Sequence, residues 1–389
     1  MATAMMLDLI ATSTFGLEAV VKRELAALGY EDATASHTGR IEFRGDTDAI
    51  ARTNMFLRSA DRVQVRVAEF WAGDFQALFE GVRDLPWAQW IEPDAAFPVA
   101  GRSVKSTLTS VPAVQRSVKK AIVESLQRDH RRHELPETGP PVAVEVSLLK
   151  DMATLTINTS GDGLHKRGYR DLTGAAPLRE TLAAALVALS FYRRDRSLID
   201  PFCGSGTIAI EAALMARRMA PGYARRFAAE QWNAVNPSSW ERAREEARDV
   251  ALGAVAERIV ASDIDPSAVS MARRHAERAG VAGDIHFQQA DFHNLRSSRS
   301  YGSIVTNPPY GERLDTMPEV QDLYRCMPEV FGGLPTWSVF VLTSWRDFER
   351  VVGRRADRRR KLYNAQLECT YYQYHGPRPP KPASGTGLR

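Results

Sequence analysis

At 389 residues the chain exceeds what one hydrophobic core usually supports, so two or three domains are expected. Hydrophobic residues make up 44% and charged residues 25%, ordinary for a globular protein, and no apolar run approaches the roughly 20 residues of a bilayer crossing. A net charge of +4 with a pI near 9.0 excludes a strongly acidic chain and favours a polyanionic partner.

The start, Met-Ala-Thr-Ala-Met-Met-Leu-Asp8, lacks the basic region and apolar stretch of an export signal, so a cytoplasmic location is expected. Cys203, Cys326 and Cys369 stand far apart with no ligand-type spacing, which predicts reduced thiols and no metal site. In chain order, residues 7–13 read as a strand, 16–28 as a helix closed by Gly29, 39–44 as a strand and 46–57 as a helix. The pattern restarts after Val67 with a helix over 75–82, a strand at 97–103 and a helix over 113–127. Two strands at 142–148 and 153–158 follow, joined by a tight connection. These predict two intertwined small α+β domains, residues 1–65 and 66–160.

Residues 161–176 are glycine-rich and basic without an apolar period, and read as a linker that touches ligand. From 177 to 376 buried strands alternate with helices: helices at 177–191, 207–219 and 266–279, and strands at 197–201, 258–263, 285–289, 302–306 and 338–343. A terminal pair of strands near Lys361 and at 367–374 completes the set. The fold class expected for this part is α/β, a doubly wound Rossmann-like sheet, with 377–389 as a flexible tail.

In such a sheet ligands bind outside the carboxyl ends of the strands. Asp200-Pro-Phe-Cys-Gly-Ser-Gly-Thr207 supplies a glycine turn there, where Gly204 and Gly206 permit close backbone approach and the next helix offers free N–H groups. Asp263 suits ribose hydroxyls and Asp291 an adenine amino group, a set that fits S-adenosylmethionine. The candidate cofactor residues are thus Asp200, Phe202, Cys203, Gly204, Ser205, Gly206, Thr207, Asp263, Ile264, Asp291 and Phe292. Gly204-Ser-Gly206-Thr-Ile-Ala209 also satisfies the dinucleotide fingerprint, but its acidic partner is expected about 20 residues on, and Asp263 lies much further.

Asn307-Pro-Pro-Tyr310 is the candidate catalytic segment. An exocyclic base amine is a weak nucleophile because its lone pair is delocalised into the ring. The Asn307 amide oxygen and the Pro308 carbonyl can accept from that amine and turn its lone pair toward a methyl carbon. Pro308 and Pro309 stiffen the loop, and Tyr310 can stack on the base. Methylation at a ring carbon would want a cysteine nucleophile, and Cys326 has no matching context. Basic residues Arg102, Lys105, Arg116, Lys119, Lys120, His165, Lys166 and Arg167 are the candidate nucleic-acid contacts, which the resemblance given next makes RNA contacts.

With these residues in view the chain resembles the bacterial THUMP-domain RNA methyltransferases, specifically the 23S ribosomal RNA guanine-N2 methyltransferase family. The resemblance extends over Gly163-Leu-His-Lys-Arg-Gly-Tyr-Arg170, Ala176-Pro-Leu-Arg-Glu-Thr181, Asp200–Thr207, Ser262-Asp-Ile-Asp265, Asn307–Leu314 and Lys361-Leu-Tyr-Asn364. It implies a class I methyltransferase domain behind a ferredoxin-like element and a THUMP module that captures RNA. It also implies that Asp200, Gly204, Gly206, Asp263 and Asp291 bind S-adenosylmethionine and that Asn307–Tyr310 engage guanine. The sequence departs from the resemblance at His275, where relatives carry Asn, and at Ala365, where Gly is usual; neither was expected to touch the chemistry. Alternatives are a transfer RNA methyltransferase of the same chemistry, an amino DNA methyltransferase and a noncatalytic RNA-binding factor.

Overall fold

Alternation of apolar residues places β1 (Leu7–Thr12) between two antiparallel neighbours in the computed structural model, which describes residues 6–170, 178–310 and 317–380. After β1 come α1 (Glu18–Ala27), β2 (Thr34–His37), β3 (Arg40–Gly45), α2 (Thr47–Phe56), β4 (Arg62–Trp71) and α3 (Phe75–Arg83). Asp46 and Asp74 start α2 and α3 by accepting from the Ala49 and Ala77 N–H groups at 3.0 and 2.8 Å, caps worth about 1 kcal/mol each. Next are β5 (Ala95–Ala96), β6 (Val99–Val104), α4 (Val111–His130), β7 (Gly139–Pro141), β8 (Val144–Leu149) and β9 (Met152–Asn158). One seven-stranded sheet runs β2-β3-β1-β4-β9-β8-β6.

The expected boundary at 65/66 therefore falls inside β4, a ten-residue strand that pairs with β1 on one side and β9 on the other. The two N-terminal segments share a single sheet and a single core. Sequence patterning missed this because β4 reads Arg-Val-Gln-Val-Arg-Val and then breaks alternation at a bulge between Arg66 and Ala68.

The chain continues through α5 (Glu180–Leu189), β10 (Leu198–Asp200) and α6 (Thr207–Ala216), then leaves that region for α7 (Pro237–Asp249). It returns with β11 (Ile259–Asp263), α8 (Pro266–Arg278), β12 (Ile285–Gln289), β13 (Ser303–Thr306), α9 (Met317–Gly332), β14 (Ser338–Thr343), α10 (Phe348–Val352), β15 (Arg358–Asn364) and β16 (Leu367–Tyr374). The second sheet runs β12-β11-β10-β13-β14-β16-β15; β12 to β14 are parallel, and β16 and β15 are antiparallel.

The structure forms two compact units, residues 1–167 with 220–250, and residues 168–219 with 251–389. Residues 220–250, which lie inside the expected segment 177–376, thus pack with the first unit. Phe227, Trp232 and Trp240 of the intervening stretch are buried in the first unit's core, Arg52 of α2 grips Glu246 of α7 at 2.7 Å, and the Gly222 N–H donates to the Met55 carbonyl at 2.9 Å. Expectations on 171–177, on Gly311–Leu314 and on 381–389 lie outside the described residues. Among the described residues no helix is long and apolar enough to cross a membrane.

Candidate active site

Strand order reverses beside β10: β11 and β12 lie to one side and β13 to the other, so the crevice opens at the carboxyl ends of β10, β11, β12 and β13. Asp200 ends β10 with its side chain buried. It accepts from the Thr306 hydroxyl at 2.6 Å and the Phe202 N–H at 3.3 Å, while burial pushes its carboxyl up to about 7. The turn that follows is left-handed at Gly204 (φ 49°) and Gly206 (φ 79°), and Gly206 opens α6 as its cap residue. A Cβ at Gly206 would stand 2.8 Å from the Cβ of Ala272, whereas one at Gly204 would meet nothing within 4 Å. The first glycine leaves room over the turn; the second lets α8 pack beneath it.

Asp263 ends β11 and holds the turn from across the crevice, accepting from the Gly204 N–H at 2.9 Å and the Asp265 N–H at 3.1 Å. Ile264 beside it is 67% exposed, a large apolar side chain left uncovered at the site. The Phe202 and Phe292 rings lie 4.8 Å apart and make an apolar wall. Cys203 is buried, which pushes its thiol well above the ordinary range, and its N–H donates to the Ser262 carbonyl at 2.9 Å. Ser205 and Thr207 pair hydroxyl to hydroxyl at 3.0 Å.

Asp291 follows β12 and accepts on Oδ1 from both the backbone N–H and the ring Nδ1 of His293, at 2.9 and 2.7 Å. These donors hold its carboxyl below the usual carboxylate range, the backbone one first. The other ring nitrogen, His293 Nε2, is 3.2 Å from Cys326 Sγ. Sequence reasoning missed His293, although it lies two residues beyond an acid already singled out.

Asn307, directly after β13, is buried, and its Oδ1 has no hydrogen-bond partner among the described residues. An amide oxygen buried without a donor costs roughly 1–3 kcal/mol. The loop is fixed from behind: the Tyr324 hydroxyl of α9 donates to the Pro309 carbonyl at 2.9 Å and is also 2.9 Å from Thr343 Oγ1. Tyr310 does not stand exposed as a stacking platform; it is buried. His275 takes a structural part. Its ring is fully buried under the glycine turn and Nδ1 donates to the Ser205 carbonyl at 3.1 Å, so it supports the turn.

The basic residues divide. Arg102, Lys105, Arg116, Lys120 and Lys166 are exposed, Lys166 beside Asp162 at 3.0 Å, and His165 is partly buried. Two are committed to the protein itself, against the expectation of RNA contacts. Arg167 is buried and donates to the carbonyls of Leu164 and Arg58. Lys119 Nζ donates to the Phe97 carbonyl at 2.9 Å and Glu137 at 2.7 Å, and sits 3.3 Å from the centre of the Phe97 ring.

Residues 8–64 match the RlmL ferredoxin-like domain, residues 72–158 the THUMP domain and residues 167–373 the RMKL-like methyltransferase domain. The Bacillus subtilis (strain 168) protein named "Putative RNA methyltransferase YpsC" is 48% identical over 368 residues, covering 94% of this chain and 95% of its own. A crystal structure from Listeria monocytogenes str. 4b F2365, described as a "predicted N6-adenine-specific DNA methylase", has TM-score 0.91 and 48% identity and covers 96% of this chain and 97% of that one. The structure of SMU.472, a "putative methyltransferase complexed with SAH", has TM-score 0.90 and 41% identity over 97% of this chain and all of that one (100%).

Proposed function

The chain belongs to the RMKL-like methyltransferase family, and we propose that it methylates the exocyclic N2 amine of a guanosine in RNA, most specifically in 23S ribosomal RNA. S-adenosylmethionine is the cofactor and supplies, when bound, a methyl group already activated on a sulfonium. The site fits it: open space over Gly204, carboxylates of Asp263 and Asp291 at neighbouring strand ends, and the uncovered Ile264 beside the Phe202–Phe292 wall. Those residues would hold it, with Asp200 fixing the start of the turn through the Phe202 N–H.

The observation that carries the reading is the buried Oδ1 of Asn307, without a donor among the described residues. A base amine brings the N–H groups that this oxygen lacks. Accepting one of them orients the nitrogen lone pair and favours the positive charge that grows on nitrogen as the new bond forms. The Pro308 carbonyl offers a second acceptor, while Tyr324 keeps the loop from relaxing away. Neither Cys203 nor Cys326 has an environment that lowers its thiol pKa; burial raises both, which disfavours a covalent route. The nitrogen proton leaves after attack, so no strong base is needed.

The test is methyl transfer by the purified protein to RNA from cells lacking its gene, followed by nucleoside mass spectrometry on separated ribosomal and transfer RNA. N2-methylguanosine in the 23S fraction is expected; its appearance only in transfer RNA moves the substrate, and its absence from both removes the reading. The name carried by the Listeria relative favours a second reading, adenine N6 methylation of DNA, so duplex DNA belongs in the same assay with N6-methyladenine as its readout.

A further inference from the structure

The two acids at neighbouring strand ends are held differently. Asp263 accepts from two backbone N–H groups, whereas Asp291 accepts from one backbone N–H and from a ring, the Nδ1 of His293. The backbone bond, at 2.9 Å, is a local turn that any residue but proline at 293 supplies. The ring bond, at 2.7 Å, belongs to the side chain, and both bonds fall on Oδ1. With Oδ1 taking two donors, Oδ2 is the oxygen left to accept from a ligand. The Asp291 and His293 side chains are 44% and 57% exposed, and a pair so open to water stabilises a fold little. What the ring bond does supply is direction, since it holds the carboxylate against rotation about its last side-chain bond.

The ring is itself held from its other side. A carboxylate oxygen only accepts, so Nδ1 carries the proton and the neutral ring keeps its lone pair on Nε2. Nε2 lies 3.2 Å from the Sγ of Cys326 on α9. Burial pushes the Cys326 thiol up, so the sulfur keeps its hydrogen. The Leu323 carbonyl, 3.0 Å from the same sulfur, competes for that hydrogen, but the imidazole nitrogen is the more basic acceptor. The same helix meets this segment again where Phe331 packs edge-on to Phe292 at 5.4 Å, and its Tyr324 hydroxyl holds the Pro309 carbonyl. Helix α9 thus supports the acid after β12 and the loop after β13 from one frame.

We propose that His293 is a positioning residue for the cofactor: through Nδ1 it fixes Asp291 so that Oδ2 receives the exocyclic amine of the cofactor's adenine. The inference rests on the cofactor reading above, with adenine at Asp291, and adds the residue that aims that acid. Its consequence is selection for the amine. A base with a carbonyl in the same place sets an acceptor against an acceptor, and a carboxylate that cannot turn away rejects it. A carboxylate freed to turn rejects it less.

The test is calorimetry of the full chain with two ligands, S-adenosylhomocysteine and S-inosylhomocysteine, whose base carries a carbonyl where adenine has its amine. His293→Ala is expected to weaken S-adenosylhomocysteine binding roughly tenfold, the scale of one charge-assisted hydrogen bond. The same variant is expected to bind S-inosylhomocysteine within about twofold of the parent. His293→Asn, whose amide nitrogen stands where Nδ1 does, restores most of the lost affinity; His293→Gln, whose amide stands where Nε2 does, does not. The melting temperature stays unchanged in these variants, which separates lost aim from lost fold. An unchanged S-adenosylhomocysteine affinity in His293→Ala overturns the inference. So does an equal loss for both ligands, which is what a merely structural histidine gives. Asp291→Ala separates the two readings. If it weakens S-adenosylhomocysteine while His293→Ala does not, this inference alone falls; if neither does, the placement of adenine at Asp291 falls with it. Calorimetry needs no methyl acceptor, so either result holds whichever nucleic acid is methylated.

Discussion

The two seven-stranded sheets expose different parts of themselves. In the second unit β12 to β14 are parallel and buried by helices, and the residues proposed to act on an amine lie at strand ends: Asp200, Asp263, Asp291 and Asn307 after four adjacent strands. In the first unit's seven-stranded sheet the pairs are antiparallel except β6 with β8, and the exposed candidate RNA contact Arg102 lies on its face. A sheet covered on both sides can present only its rims, whereas one covered on a single side offers a row of side chains in register. Small-molecule chemistry suits the first arrangement and a long polymer the second.

The comparison breaks most sharply at Asn307. Asn307→Ala removes the free acceptor, and methyl transfer is expected to fall by about 10²–10³ with cofactor affinity retained. Unchanged turnover would mean that the rim of the second sheet does not hold the amine. Asp200→Asn is expected next in size. Its carboxyl is raised to about 7 in the fold, so the wild type loses stability as pH climbs from the unfolded value near 3.8 through 7. The amide still accepts from Thr306 and Phe202 but does not ionise. The variant's unfolding free energy should therefore gain on that of the wild type between pH 5 and pH 8, by an amount on the order of a few kcal/mol, and an equal difference at both pH values would contradict a buried carboxylate.

Gly206→Ala is expected to cost about 1–3 kcal/mol, from positive φ and the 2.8 Å approach to Ala272, and to weaken S-adenosylhomocysteine binding in calorimetry. A neutral Gly206→Ala would show that the turn is looser than its packing. The smallest effect is expected in the first unit. Arg52→Ala breaks the ion pair with Glu246 that ties α7 to α2, half-exposed on both sides, and should lower stability in urea by about 1 kcal/mol without altering methyl transfer.

Much of the second sheet was legible because buried parallel strands are short apolar runs closed by glycine or acid, as in Leu198–Asp200 and Ile259–Asp263. The site motifs were legible for the same reason, each lying at the end of such a run. The rest depended on partners distant in sequence. Strand β2, Thr34–His37, is exposed at every position and carries no apolar alternation to announce it. Helix α7 has a charged sequence, Glu-Arg-Ala-Arg-Glu-Glu-Ala-Arg, whose few buried residues, Trp240, Ala243 and Ala247, give a faint stripe. Helix α9 contains Pro328, which reads as a breaker. The left-handed turn at Ala365, φ 55°, explains why glycine suits that position, but the need for positive φ is visible only in the fold.

The detour through residues 220–250 bears on how the chain is made. During vectorial synthesis the first unit lacks Phe227, Trp232 and Trp240 of its core until α7 has emerged. By then β10 and α6 are already out, and β10 still waits for both β11 and β13, the strands on either side of it. This interior strand of the second sheet is thus the first of its sheet to leave the ribosome and spends the whole translation of the detour with both edges unpaired, an interval in which a nascent-chain chaperone has the most to shield.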